Sequence, residues 1–163
     1  GSGVVAPGTG VCLHNRGRHF ALDPGHPNVL APRKKPFHTL IASIVTRQDR
    51  PVLALATMGG NGQAMFHVQI VTTVLDYGRD VQEAIERPRF LIGAFLPGEP
   101  ADTIHVEDRV GARVLAALRR KGHVVKAAPA LFYKMGHAHA VAVQDGTLVG
   151  GADPRGDGIA LGF

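Results

Sequence analysis

The sequence predicts an α+β fold, and three observations carry that expectation. Short apolar runs bounded by turn residues recur at 39–46, 52–56 and 139–144, the pattern of strands joined in hairpins. Two longer stretches, about 62–77 and 110–120, repeat apolar residues at helical spacing. Their order separates hairpins by helices instead of alternating strand and helix one for one, which argues against a doubly wound sheet. The 21 glycines and 11 prolines fit many turns and a substantial β component.

Taken in order, residues 1–10 are glycine-rich and Ala6-Pro7-Gly8-Thr9-Gly10 reads as a turn. Residues 11–14 read as a short strand, and the apolar triplet Val11-Cys12-Leu13 makes Cys12, the single cysteine, a buried structural thiol. One cysteine excludes an internal disulfide. Prolines at 24, 27, 32 and 36 make 15–36 a long loop, and loops of that length are commonly functional. Strand 39–46, the polar turn Arg47-Gln48-Asp49-Arg50 and strand 52–56 form a hairpin. Helix 62–77 turns Met65, Val68, Val71, Thr72 and Leu75 to the core and ends at Gly78. A shorter helix covers 81–86 and stops before Pro88. Residues 89–95 are extended, 97–100 turn, and 103–106 form a β-branched strand. Helix 110–120 points Val110, Val114, Leu115 and Leu118 inward and ends at Gly122. Strands at 124–127 and 139–144 follow, and Asp145-Gly146 turns the latter into Leu148-Val149.

Composition narrows the function classes. A chain of 163 residues, 45% hydrophobic and 19% charged, supports one packed domain. No apolar run approaches the ~18 residues of a membrane span, and no signal-peptide pattern opens the sequence. The net charge is +5, but Arg33-Lys34-Lys35 and Arg119-Arg120-Lys121 carry no interleaved aromatics and there is no Trp, so neither nucleic acid nor membrane is an expected partner. His137 and His139 share a strand face but lack a third ligand, so no metal and no cofactor is expected.

The feature closest to chemistry is Gly59-Gly60, between an apolar strand and the start of a helix. Glycines there let backbone N–H groups approach a ligand, and the helix terminus adds partial positive charge. Locally the pair is read either as an anion-stabilising turn or as a tight strand-to-helix connection without a ligand. Gln63 beside it either lines that site or only caps the helix.

An ordered set of landmarks extends across nearly the whole chain: Gly1-Ser2-Gly3, Pro7-Gly8-Thr9-Gly10, Asn15 with Phe20, Lys35-Pro36 and Gly59-Gly60. It continues with Asp76-Tyr77-Gly78, Ala84-Ile85-Glu86-Arg87-Pro88-Arg89, Gly122-His123 and Asp153-Pro154-Arg155. In this the chain resembles the small (β) subunit of γ-glutamyltransferases, which are N-terminal-nucleophile hydrolases. The resemblance implies part of an αββα sandwich with antiparallel sheets, residues 1–163 being the C-terminal part of such a subunit. It implies a precursor that cleaves itself to free a threonine, whose hydroxyl attacks a carbonyl with its own amine as base. That threonine would lie upstream of Gly1, and Thr9, inside a turn, does not replace it. The chain alone is therefore expected to be inactive and to lack part of its core. Gly59 and Gly60 match the family's oxyanion-hole glycines, whose donors contribute about 3 kcal/mol each in comparable sites. His38 and Thr39 fall where two serines usually grip the substrate carboxylate. Asp153-Pro154-Arg155 is a landmark of that family, but a turn with a structural ion pair explains it adequately.

The sequence departs from the transpeptidases at Asn15-Arg16-Gly17-Arg18-His19-Phe20, where their pattern is Asn-x-Met-Asp-Asp-Phe. The second Asp of that pattern holds the donor's α-amino group, and here the position is His19, with Arg16 replacing the usual Gln or Glu. Neither can pair with an ammonium. The segment is more similar to the subgroup containing oxamate amidohydrolase and acylases, whose substrates are amides with a nearby carboxylate. The expected site is thus Gly59 and Gly60 as catalytic donors, with Arg16, His19, His38 and Thr39 binding substrate. Partners would be a small-molecule amide and the large subunit or upstream segment of the same precursor, and a homo-oligomer of that heterodimer stays open. The compartment is not fixed, because a leader would precede Gly1; the cytoplasm is favoured over the periplasm or secretion. The competing class is an inactive fragment or scaffold subunit that binds only carboxylates or a partner chain.

Overall fold

The computed structural model describes residues 1–93 and 98–162, in two compact units, 1–40 and 41–163. In the first unit regular structure is sparse. It has an antiparallel bridge between Val5 and Cys12, a parallel one between Ala21 and Val29, and a 3-10 turn over Arg16–His19. None of residues 1–40 is buried. Cys12 therefore departs from expectation: it is exposed, because its apolar triplet joins a two-stranded bridge that has no packed layer within its own unit.

The second unit carries the α+β pattern. Strands β1 (Ile41–Arg47) and β2 (Arg50–Met58) form the expected hairpin, closed by Gln48 and Asp49 at φ 49° and 61°. Helix α1 (Gln63–Leu75) follows, and Gly78 at φ 61° ends the segment. Helix α2 (Val81–Glu86) starts at Asp80, whose carboxylate accepts from the amides of Gln82 and Glu83 at 2.8 and 3.2 Å. Strands β3 (Phe90–Ile92) and β4 (Ile104–Glu107) precede α3 (Ala112–Arg120) and β5 (Val125–Ala128). Strands β6 (His137–Gln144) and β7 (Thr147–Ala152) close the unit through Asp145-Gly146, both at positive φ. Of the expected extended segment and turn at 89–100, residues 94–97 lie outside the described residues.

The larger sheet is antiparallel, in the order β1-β2-β6-β7. The smaller, β3-β4-β5, pairs β3 and β4 antiparallel but β4 and β5 parallel, because α3 supplies the crossover that returns the chain in the same direction. Helices α1 and α2 cover one face of the larger sheet, where Leu53, Leu55, Ala138, Ala140 and Ala142 meet Ile70, Val81, Ala84 and Ile85. On the other face Ala42, Ile44, Ala54, Ala56, Val141 and Gly150 line a shallow cavity of about 500 Å³ together with Ile159, Ala160 and Leu161. Ile44 there is 67% exposed and Leu148, beyond it, 70%.

The core face of α1 differs from the expected one. Phe66, His67 and Ile70 are buried, whereas Val68 is 62% exposed. The helix is apolar around much of its circumference, so two stripes satisfy the helical spacing and only docking on β2 chooses between them. Met65 and Val71 of the expected stripe are partly buried against the cores. Similarly, in and before α3, Leu115 is buried and Val110 and Leu118 pack on it, but Val114 is exposed.

Candidate active site

The end of β2 runs into Gly59, Gly60 and a 3-10 turn over Gly60–Gly62 before α1. Gly59 and Gly60 have φ of 156° and 55°, two consecutive positive values that glycine adopts without steric cost. Among the described residues no side chain caps the start of α1, and the Gln63 amide is taken up by the Gly60 carbonyl of the preceding 3-10 turn. Gln63 is buried and its Nε2 donates back to the Gly60 carbonyl at 2.9 Å, which settles one role for it: it clamps the turn.

Beneath this turn lies the ring of Phe66, fully buried. A Cβ added at Gly59 would stand 2.7 Å from Phe66 Cε2, and one at Gly62 2.7 Å from its Cζ. Gly136, at φ 76°, approaches the same ring and the Met58 carbonyl oxygen. The Arg89 guanidinium sits 5.7 Å from the ring centroid, within cation–π range.

Arg89 belongs to a buried network of four charges. Its Nη1 donates to the Met135 and Gly136 carbonyls, both at 3.0 Å; its Nη2 donates to the Ile85 carbonyl at 3.0 Å and to Asp153 Oδ2 at 2.6 Å. Arg155 holds Glu107 through Nε and Nη2 at 2.8 and 2.5 Å and Asp153 Oδ1 through Nη1 at 3.1 Å. Glu107 also accepts from the amides of Arg89 and Phe132, and Asp153 from that of Ala138. Burial by itself would raise both carboxyl pKa values, but the guanidinium charges and these amides outweigh it and hold them below the usual carboxylate range. Burial works against the Arg155 cation too, and its two carboxylate partners more than reverse that. The turn at Asp153-Pro154-Arg155 thus contains the expected ion pair, extended to Arg89 and Glu107.

His67 on α1 and Ser43 on β1 are hydrogen-bonded, Oγ to Nδ1, at 3.0 Å. His67 Nε2 is buried with no partner among the described residues, so no second group orients the imidazole as a proton relay requires. Burial lowers the His67 pKa. With the folded value below the unfolded ~6.5, the unfolded chain binds the proton first. Stability is expected to be complete above about pH 6.5 and to fall as pH drops from there toward the folded value. Glu107 and Asp153 add a second loss at lower pH, because their depressed folded values give stability that is present above about pH 4 and vanishes below it. Denaturation midpoints measured from pH 8 to 3 check this, and His67→Gln should flatten only the upper step.

The four expected substrate-binding residues all lie in unit 1–40, and Gly59 and Gly60 in the other. Within the first unit Arg16 Nε donates to Thr39 Oγ1 at 2.9 Å, which brings two of the four together. His19 and His38 are exposed, and the His19 carbonyl accepts from Asn28 Nδ2 at 2.8 Å. Among the described residues no group of three or more His, Cys, Asp or Glu is placed to hold a metal ion, and no helix is long and apolar enough to cross a membrane. His137 and His139 do share a face of β6, where Gly156 and Gly158 of the tail lie against them.

Sequence reasoning missed Phe66, His67, Glu107 and Gly136 and did not connect Arg89 to Asp153. A glutamate ending the apolar run Ile104-His105-Val106 was the one available signal, since a charge in that setting calls for a buried partner.

The gamma-glutamyltranspeptidase family profile matches residues 1–163. The chain belongs to this family. It is 42% identical over 164 residues to the glutathione hydrolase-like YwrD proenzyme of Bacillus subtilis, covering 100% of the chain and 31% of that protein. It is 40% identical over 164 residues to the oxamate amidohydrolase proenzyme of Klebsiella pneumoniae, again covering 100% of the chain and 31% of the relative. The chain therefore spans about a third of the length of these relatives. Among solved structures it is similar to gamma-glutamyltranspeptidase from Pseudomonas nitroreducens complexed with L-DON, with TM-score 0.74 and 27% identity over 100% of the chain and 87% of the other. Cephalosporin acylase from Bacillus halodurans gives TM-score 0.76 and 34% identity over 96% of the chain and 28% of the other. The α+β fold of the N-terminal-nucleophile hydrolases, expected from the sequence, is the fold these members share.

Proposed function

We propose that residues 1–163 are the C-terminal part of the small subunit of an amidohydrolase, able also to transfer the acyl group, that acts on a small amide bearing a free carboxylate. The nucleophile is an N-terminal threonine supplied by upstream sequence, and the amides at Gly59 and Gly60 stabilise the oxyanion. The carrying observation is Arg16, bonded through Nε to Thr39 Oγ1. That bond leaves its two Nη groups as a fork for a carboxylate. His19, where the transpeptidase pattern has an acid, offers no counter-charge to an ammonium, and His38 adds a further donor. The 40% identity to a protein named oxamate amidohydrolase supports the same substrate class. The apolar face of the β1-β2-β6-β7 sheet, where Ile44 and Leu148 stay exposed beside the tail at 159–161, supports a partner layer from the upstream segment or large subunit.

The test is kcat/KM of the full-length protein for oxamate or a glutaryl amide against the matching γ-glutamyl amide. The carboxylate-only compound is expected to win, and the Arg16→Gln, His19→Asp double variant should move the ratio toward the γ-glutamyl compound. A γ-glutamyl preference above about tenfold in the unmodified protein would reverse the reading.

A further inference from the structure

We propose that Phe66, held in place by Arg89, is the positioning residue that sets the geometry of the Gly59-Gly60 turn. The inference rests on the amidohydrolase reading for the role of that turn, and goes beyond it in naming the groups that aim the donors.

Two backbone segments converge on the Phe66 ring, the turn at Gly59 and Gly62 and the chain at Gly136, and at each of these three glycines a Cβ would stand under 3 Å from a ring carbon. The main chain at these points therefore rests on the ring with no side chain between. Gly136 packs on Gly59 in turn, since a Cβ at Gly59 would stand 3.1 Å from the Gly136 Cα. The ring is fixed from behind. Arg89 is 5.7 Å from its centroid, and the guanidinium is itself held by the Ile85, Met135 and Gly136 carbonyls and Asp153. One cation thus holds both the ring and the chain at Gly136, just before β6, that touches the turn. From the other side Gln63 Nε2 fixes the Gly60 carbonyl. Donors that stabilise a developing oxyanion must be held within about 0.5 Å of their productive position, and loops achieve that only through such supports. A leucine at position 66 fills less of the space among the three glycines, and a lysine at 89 keeps the charge beside Asp153 but loses the planar fork that reaches four acceptors.

The experiment uses the full-length protein with Phe66→Leu and Arg89→Lys. Leu115→Ala, in the separate core under α3, serves as a destabilised control. Turnover of oxamate, glutaryl p-nitroanilide and γ-glutamyl p-nitroanilide is measured per active site, titrated by the p-nitroaniline burst of either anilide. For the better anilide, kcat is expected to fall about 30-fold or more in both turn variants with KM within about threefold, and Leu115→Ala should keep kcat. Hydrogen exchange of the peptide over 57–65 is read in the same proteins, including any that fail to process. It should speed up at least tenfold in both turn variants while the peptide over 141–149 is unchanged. Unaltered kcat or unaltered local exchange in Phe66→Leu would overturn the positioning role alone. An unmodified protein that turns over none of the three amides would overturn the underlying reading and this inference with it.

Discussion

Glu107→Ala is expected to lower the unfolding free energy by about 3–5 kcal/mol, the cost of leaving a buried charge without its partner. Glu107 is 0% exposed and receives two bonds from Arg155 and one each from the amides of Arg89 and Phe132. Among the described residues alanine would leave the Arg155 cation with Asp153 as its one carboxylate partner, and it would strand the buried Arg89 amide and remove the acceptor of the half-buried Phe132 amide. Glu107→Gln keeps the shape and one or both acceptor contacts without the charge, so it should fall between alanine and the unmodified protein. Guanidinium denaturation of the three proteins orders them. A loss below about 1 kcal/mol for alanine would mean that water reaches this cluster and screens it as at a surface.

Gly136→Ala is the second large expected effect, at about 2–5 kcal/mol from a left-handed backbone conformation together with overpacking. Its Cβ would overlap the Met58 carbonyl oxygen and come within 2.9 Å of two Phe66 ring carbons, and the oxygen belongs to backbone that cannot swing aside. Gly60→Ala is the contrast. Its φ of 55° is also positive, but nothing lies within 4 Å of the added Cβ, so only the conformational part, about 1–2 kcal/mol, is expected. Equal losses for the two alanines, measured by the same denaturation series, would show that packing on Phe66 contributes nothing at Gly136.

The elements with a local cause were legible in the sequence. The β1-β2 hairpin, α2 with its stop before Pro88, and the Asp145-Gly146 turn each follow from residues within a few positions of one another. So does the positive-φ pair at the end of β2, because only glycine takes that backbone without strain. The landmarks in order were enough to show the family. What local pattern could not supply was a choice between equivalent faces. Val68 and Phe66 are both apolar and both lie on helically spaced stripes, and α1 buries Phe66 because that stripe meets β2 and the second core. Cys12 failed for the related reason that an apolar triplet reports a wish for burial and not the presence of a layer to be buried against.

The sequence by itself determined the α+β order of elements, the glycine turn before α1 and the family. Tertiary structure alone decided that Arg89, Glu107, Asp153 and Arg155, spread over more than 60 positions of chain, share one buried network, and that Phe66 lies under the glycine turn. The physical reason is range. Backbone conformation and turn chemistry act over three or four residues and are written in the local sequence. The pairing of buried charges and the seating of a ring among three glycines depend on which distant segments the folded chain brings into contact, and a charge or a glycine read in isolation does not name its partner.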